Sequence, residues 1–167
     1  MGIRTRLISA IALVTFAAIT LMGVFAIEVL KQNAFYREVR EARLIAGFFK
    51  VASRNSPAEV MAISQSLIRQ GRINNIRIFD RGGRVVFSHG ESTAPDEGRL
   101  IVFEDGVSVR YSSPGWLISN ISGALIVSVD LKDSGRVVYT TDISRIAEEL
   151  RPAKRFVLFF SIASGLV

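Results

Sequence analysis

His89 is the one histidine of this chain, and its 167 residues include no cysteine. Those two facts close most routes to catalysis. A thiolate nucleophile, a disulfide framework and a cysteine-based zinc site each need a sulfur that is missing here, and a histidine-rich metal site needs more than one imidazole. A Ser-His-Asp set would have to recruit His89, which follows Phe87 and Ser88 and precedes Gly90 and Glu91. That is the composition of a solvated loop and not of a poised general base. Gly82-Gly83 lacks the spacing of a phosphate loop, and it joins two strand-like runs instead of opening a helix. The acidic pairs Asp96-Glu97 and Glu104-Asp105 fall at loops and turns, where carboxylates are ordinarily solvated. Asn120-Ile121-Ser122 fits the glycosylation triplet, a pattern too short to decide anything. The expectation is a chain with no catalytic residue, no metal ligand and no cofactor.

Charge gives a further exclusion. The formal net charge is +6, from 21 Lys and Arg against 15 Asp and Glu. A nucleic-acid partner calls for a compact basic run or face, whereas here the basic residues are spread along the chain and interleaved with acids. No nucleic-acid partner is expected.

The elements that position these residues begin with two apolar runs. Leu7 to Ile27 contains no charged residue, and about 20 residues suffice for a helix to cross a bilayer core of roughly 30 Å. Val24, Phe25 and Ala26 offer a cleavage-like site, but the run exceeds the apolar region of about 7 to 15 residues in a cleaved signal. Residues 1–28 therefore read as an uncleaved membrane anchor. Phe156 to Val167 is apolar to its end, about half a span long, with no charged flank after it. Residues 155–167 read as the start of a second membrane helix, in a chain that reads as the front part of something longer. Residues 29–154 form one modest domain between the two.

Arg4 and Arg6 on the short side of the first run point to the cytoplasm by the positive-inside rule. Lys31, Arg37, Arg40 and Arg43 beyond it, with Arg151, Lys154 and Arg155 before the second run, pull the other way. Long translocated domains largely escape that rule, so residues 28–155 are expected outside the cytoplasm, on a bacterial inner membrane.

After the anchor the helix continues. Phe35, Val39, Ala42, Ala46 and Phe49 are spaced 4, 3, 4 and 3, a heptad-type stripe, with Arg37, Glu38, Arg40, Glu41 and Arg43 on the other faces. The stripe packs on the domain's own sheet, or forms a parallel dimer seam rising from the membrane, or does each with one half. Ser56, Pro57, Ala58 and Glu59 combine an N-cap serine, a first-turn proline and a capping-box glutamate, with Gly71 as the stop. From Ile76 the period changes to that of strands, with hairpin turns at Arg81-Gly82-Gly83 and Asp105-Gly106, and two more strands around Lys132 to Gly135. Asp142 is a predicted N-cap for a last helix with Ile143, Ile146 and Leu150 on one face. Pro152, lacking an N–H, should kink or break that helix, or else open the membrane segment as its first residue. The fold class is α+β, about six antiparallel strands with the long helix on one face.

Anchor, long helix, second helix, the hairpin Ile76-Arg77-Ile78-Phe79-Asp80-Arg81-Gly82-Gly83-Arg84-Val85-Val86-Phe87-Ser88, and a last strand Val137 to Thr141 leading toward the membrane together resemble the extracytoplasmic PAS-like (Cache, or PDC) sensor domains of bacterial receptors. Such receptors include sensor histidine kinases of two-component systems, chemoreceptors and membrane-bound cyclases. The resemblance implies a homodimeric sensor in which a small molecule or a periplasmic protein, bound outside, resets two membrane helices. It also implies a pocket between the sheet and its covering loops, for which Arg77, Arg99 and Arg110, with Tyr111, Tyr139 and His89, are the candidates, since a guanidinium matches a carboxylate with paired donors. The clustered Arg-x-x-His and Arg-x-Lys pattern of carboxylate-sensing members is missing, and a degenerate pocket that senses through a protein partner is equally compatible. From another class, an anchored β-rich scaffold of an envelope complex remains open, although a scaffold has no need of a second span.

Overall fold

The computed structural model describes residues 2–90, 99–111 and 123–165; Asp96-Glu97 and the Asn120-Ile121-Ser122 triplet lie outside them. The first element, α1 (Ile3–Asn55), is one unbroken helix of 53 residues. At about 1.5 Å per residue it is about 80 Å long. Among the described residues it is the one helix long and apolar enough to cross a bilayer, and none of its apolar window is covered by the rest of the chain. Leu7, Leu13, Leu21 and Phe25 all stand more than half exposed.

α2 (Pro57–Arg69) starts where its sequence says it should. Ser56 is extended, its hydroxyl accepts the Glu59 N–H at 3.2 Å, and Pro57 fills the first helical position, where no amide donor is needed. Six strands follow: β1 (Asn75–Phe79), β2 (Val85–His89), β3 (Arg99–Val102), β4 (Val107–Tyr111), β5 (Ala124–Asp130) and β6 (Arg136–Asp142). They form one antiparallel sheet in the order β2-β1-β6-β5-β4-β3. The fold class is α+β. Because β1 pairs with β6, the strand that follows the N-terminal helices lies beside the strand that leads into the last one, α3 (Ser144–Gly165).

The turns are held by their own carboxylates. Asp80 accepts the Arg84 N–H at 2.8 Å, and Asp130 accepts that of Lys132 at 2.9 Å. At the β5–β6 turn Gly135 has φ +104, and a Cβ there would fall 2.0 Å from the Phe79 carbonyl oxygen. Only glycine lets this turn close onto the end of β1.

The core lies between α1 and one face of the sheet. Val107, Val109, Leu125, Val127, Val129, Val137 and Tyr139 are buried there against Phe35, Val39, Ala42, Ala46 and Phe49. All five stripe residues are thus buried within the chain's own fold. The Phe49 and Tyr139 rings lie 5.7 Å apart, and the Tyr139 hydroxyl donates to the Ala42 carbonyl. Burial pushes the Tyr139 phenol well above its ordinary pKa, offset only in part by the Ala46 N–H facing it. Tyr111 stacks on Phe35 at 4.7 Å.

Two expectations are corrected. Glu38 does not join the solvated face of α1: it is buried, because α3 returns along that side. The last helix does not break at Pro152 but runs through it. Asp142 does cap that helix, accepting the Ser144 N–H at 2.8 Å and hydroxyl at 2.6 Å.

Candidate functional site: the joint between α1 and α3

The six residues expected to gather around a ligand are dispersed by the strand register. Arg77 lies between Ser88 and Val138, and Arg110 between Leu100 and Ile126. Both are exposed on the face turned away from α1, with two strands between theirs. At about 4.8 Å per strand their two strands are roughly 14 Å apart. Arg99 pairs with Tyr111 on the opposite face, at the β3 edge, and His89 pairs with Ile76 at the β2 edge. The two tyrosines belong to the core. A cavity of about 830 Å³ lies near the far end of α1, lined by Lys50, Arg54, Lys132, Asp105 and Asp130 among others. Its charges are of both signs, and Asp105 already answers Arg43 at 3.4 Å and Lys50 at 3.6 Å. Desolvation alone would raise the Asp105 pKa, but Lys50, the Val107 N–H and Arg43 hold it below the usual carboxylate range.

Charge and shape converge instead where α3 runs back antiparallel along α1. At the apolar end the helices touch at Gly23, where an added Cβ would lie 2.8 Å from Val157 Cγ1. Directly above, Ala26, Ile27 and Leu30 of α1 face Pro152, Ala153 and Phe156 of α3 across an apolar cavity of about 520 Å³. The helix runs through its internal proline at this level. The cost is the bond its missing N–H would have given the Glu148 carbonyl, while the flat ring takes its place opposite α1.

Higher still come charges that α1 and α3 shield from water. Lys31 is 5% exposed and Glu38 6%. The Glu28 Oε2 atom is buried without a hydrogen bond, its charge met by the Lys31 ammonium at 3.6 Å. Arg37 Nη2 donates to Glu149 Oε2 at 2.6 Å, tying the two helices across 112 residues of sequence. That bond, with the Glu149 charge, raises the already high Arg37 pKa. Burial pushes the Glu38 carboxyl above its ordinary value, and Glu41 and Glu149 add to the rise; Arg145 and Arg37 oppose it.

No protein-family model, curated protein or solved structure matches this chain.

Sequence reasoning missed Lys31 and Glu38, although a signal was there: with Phe35, Ala42 and Ile45 they continue a 4, 3, 4, 3 spacing, which puts them on the buried side. Ile146 and Leu150 of α3 join the core with Phe35 and Val39 of α1, and below that packing the hollow lies between the Gly23–Val157 approach and the Arg37–Glu149 bond. A displacement of α3 against α1 would change the hollow and the charge pairing together.

Proposed function

We propose that this chain is the membrane-anchored signal-input region of a bacterial receptor, most simply a sensor histidine kinase. In this reading residues 1–28 anchor it in the inner membrane, the six-stranded sheet is a PAS-like extracytoplasmic domain, and residues 155–167 begin a second span. The carrying observation is that both ends of the sheet domain return as one antiparallel helix pair. β6 enters α3 with only Ile143 between them, while Tyr139 of β6 grips the α1 backbone. A ligand or protein partner that shifts β6 therefore moves α3 relative to α1. The outward face of the sheet, with Arg77 and Arg110, is the surface offered to such a signal.

Homodimerisation belongs to the same proposal, through a different face of α1 from the stripe. Leu44, Phe48 and Val51 are largely exposed and spaced 4 and 3, as a helix seam requires. Two copies anchored in one membrane would hold these residues at equal height.

Two measurements test the reading. A reporter inserted at Gly90 should be active only outside the cytoplasm, and cytoplasmic activity would overturn the orientation. Fused in frame to the cytoplasmic half of a sensor kinase, the chain should shift basal output on Pro152→Ala and on Gly23→Val at matched expression. Wild-type output from both variants would remove the joint from transmission and favour the anchored scaffold.

A further inference from the structure

The hollow between α1 and α3 is held open. Below it the helices are in close approach, since a Cβ added at Gly23 would fall 2.8 Å from Val157 Cγ1. Above it, the Arg37–Glu149 bond at 2.6 Å sets the spacing. Its walls are apolar: Ala26, Ile27 and Leu30 on one side, Pro152, Ala153 and Phe156 on the other. Leu30 is 48% exposed and Phe156 64%, so the hollow is a groove with an open mouth and not a sealed core. It straddles the end of the apolar run of α1, which is the level at which bilayer hydrocarbon gives way to headgroups.

The charges at that level are mostly positive. Arg151, Lys154 and Arg155 occupy the turn of α3 that flanks the groove, and among the described residues none of them makes an ion pair with a carboxylate. Of the nearby acids, Glu149 is held by Arg37 and Glu28 by Lys31, which leaves Glu148 against the three cations. An apolar slot between two helices, level with a net basic stretch of α3, matches an amphiphile with a hydrocarbon tail and an anionic head.

We propose that this groove binds one acyl chain of an anionic phospholipid, whose headgroup phosphate lies against Arg151, Lys154 and Arg155. The proposal rests on α1 lying in a membrane, part of the reading above, and is independent of any signalling role. An extended peptide segment would need polar partners for its backbone, and the walls offer none. A lipid tail needs only apolar contact.

The test uses a tryptophan placed in the groove. The chain's one native tryptophan is Trp116, so a Trp116→Phe, Leu30→Trp chain reports from the mouth alone. It is reconstituted in phosphatidylcholine vesicles carrying equal amounts of acyl-brominated phosphatidylcholine or acyl-brominated phosphatidylglycerol, and quenching is compared. Phosphatidylglycerol should quench more strongly. Lys154→Gln with Arg155→Gln should erase that preference, by about fivefold for each cation removed. Arg54→Gln with Arg84→Gln, far from the groove, should keep it. Equal quenching by the two lipids, or a preference that survives loss of Lys154 and Arg155, would overturn the site while leaving the anchor intact. No quenching by either lipid would place Leu30 outside the bilayer, and would overturn the site and the anchored reading together.

Discussion

Along α1, the stretch from Phe35 to Ala52 and the stretch from Gly23 to Glu38 meet their neighbours in different ways. The upper stretch packs small and aromatic side chains on a sheet face of valine, leucine and tyrosine, with Ala46 and Phe49 wholly buried. The lower stretch meets α3 through one close touch, an apolar hollow and a set of shielded charges. A close-packed interior resists small displacements, since moving one side chain requires moving its neighbours. A hollow bounded by ion pairs has room to shift. One helix thus carries a rigid seat for the sheet and an adjustable coupling to α3.

The contrast can be broken first at the seat. Phe49→Ala removes a ring that fills the centre of the core, and should cost about 3–5 kcal/mol in urea unfolding. A loss below about 1 kcal/mol would mean that the upper stretch packs no better than the lower. The next effect belongs to the joint. Gly23→Val drives a branched side chain into Val157, and overpacking of that kind costs about 1–3 kcal/mol. Here it should appear chiefly as slower disulfide formation between cysteines introduced at Ala26 and Ala153, with the sheet intact by circular dichroism. Tyr139→Phe keeps the ring and removes the hydroxyl bond to α1. The Ala42 carbonyl lies inside α1 and keeps its helical partner, so the expected loss is about 1 kcal/mol.

The smallest effect sharpens the comparison by its sign. The folded-state pKa of Glu38 lies above its unfolded value, so its ionised form opposes folding. The stability linked to its protonation is fully present below the unfolded pKa, and is lost as pH rises through the raised one. Glu38→Gln should therefore raise the thermal midpoint at neutral pH, and should flatten the gain that the wild-type chain shows on acidification. A lowered midpoint at neutral pH would mean that the Glu38 charge is well paired and the joint less adjustable than its burial suggests.

What was legible in the sequence was local. Ser56-Pro57-Ala58-Glu59 announces α2 through its own backbone donors, Gly82-Gly83 and Asp105-Gly106 announce hairpins through backbone freedom, and the stripe from Phe35 to Phe49 announces a buried face. What was hidden depends on partners far along the chain. Glu38 lies beside arginines and glutamates that suggest solvent, and only the return of α3, more than a hundred residues later, covers it. Pro152 signals a break in any isolated helix, yet α3 runs through it where it lies alongside α1. Arg77, Arg99 and Arg110 look alike in sequence. Strand pairing decides that two face outward at a distance from each other and the third sits on an edge.

The continuity of α1 has a geometric consequence. A helix of 53 residues with no hinge fixes the azimuth of the sheet domain to that of the apolar segment. Adding a single residue between Ile27 and Phe35 would turn one against the other by about 100° and lift it by about 1.5 Å. The seat on the sheet would be carried around intact, and α3, anchored by its own course through Val157, would find another side of α1 facing it. Within this helix, direction is encoded by residue count.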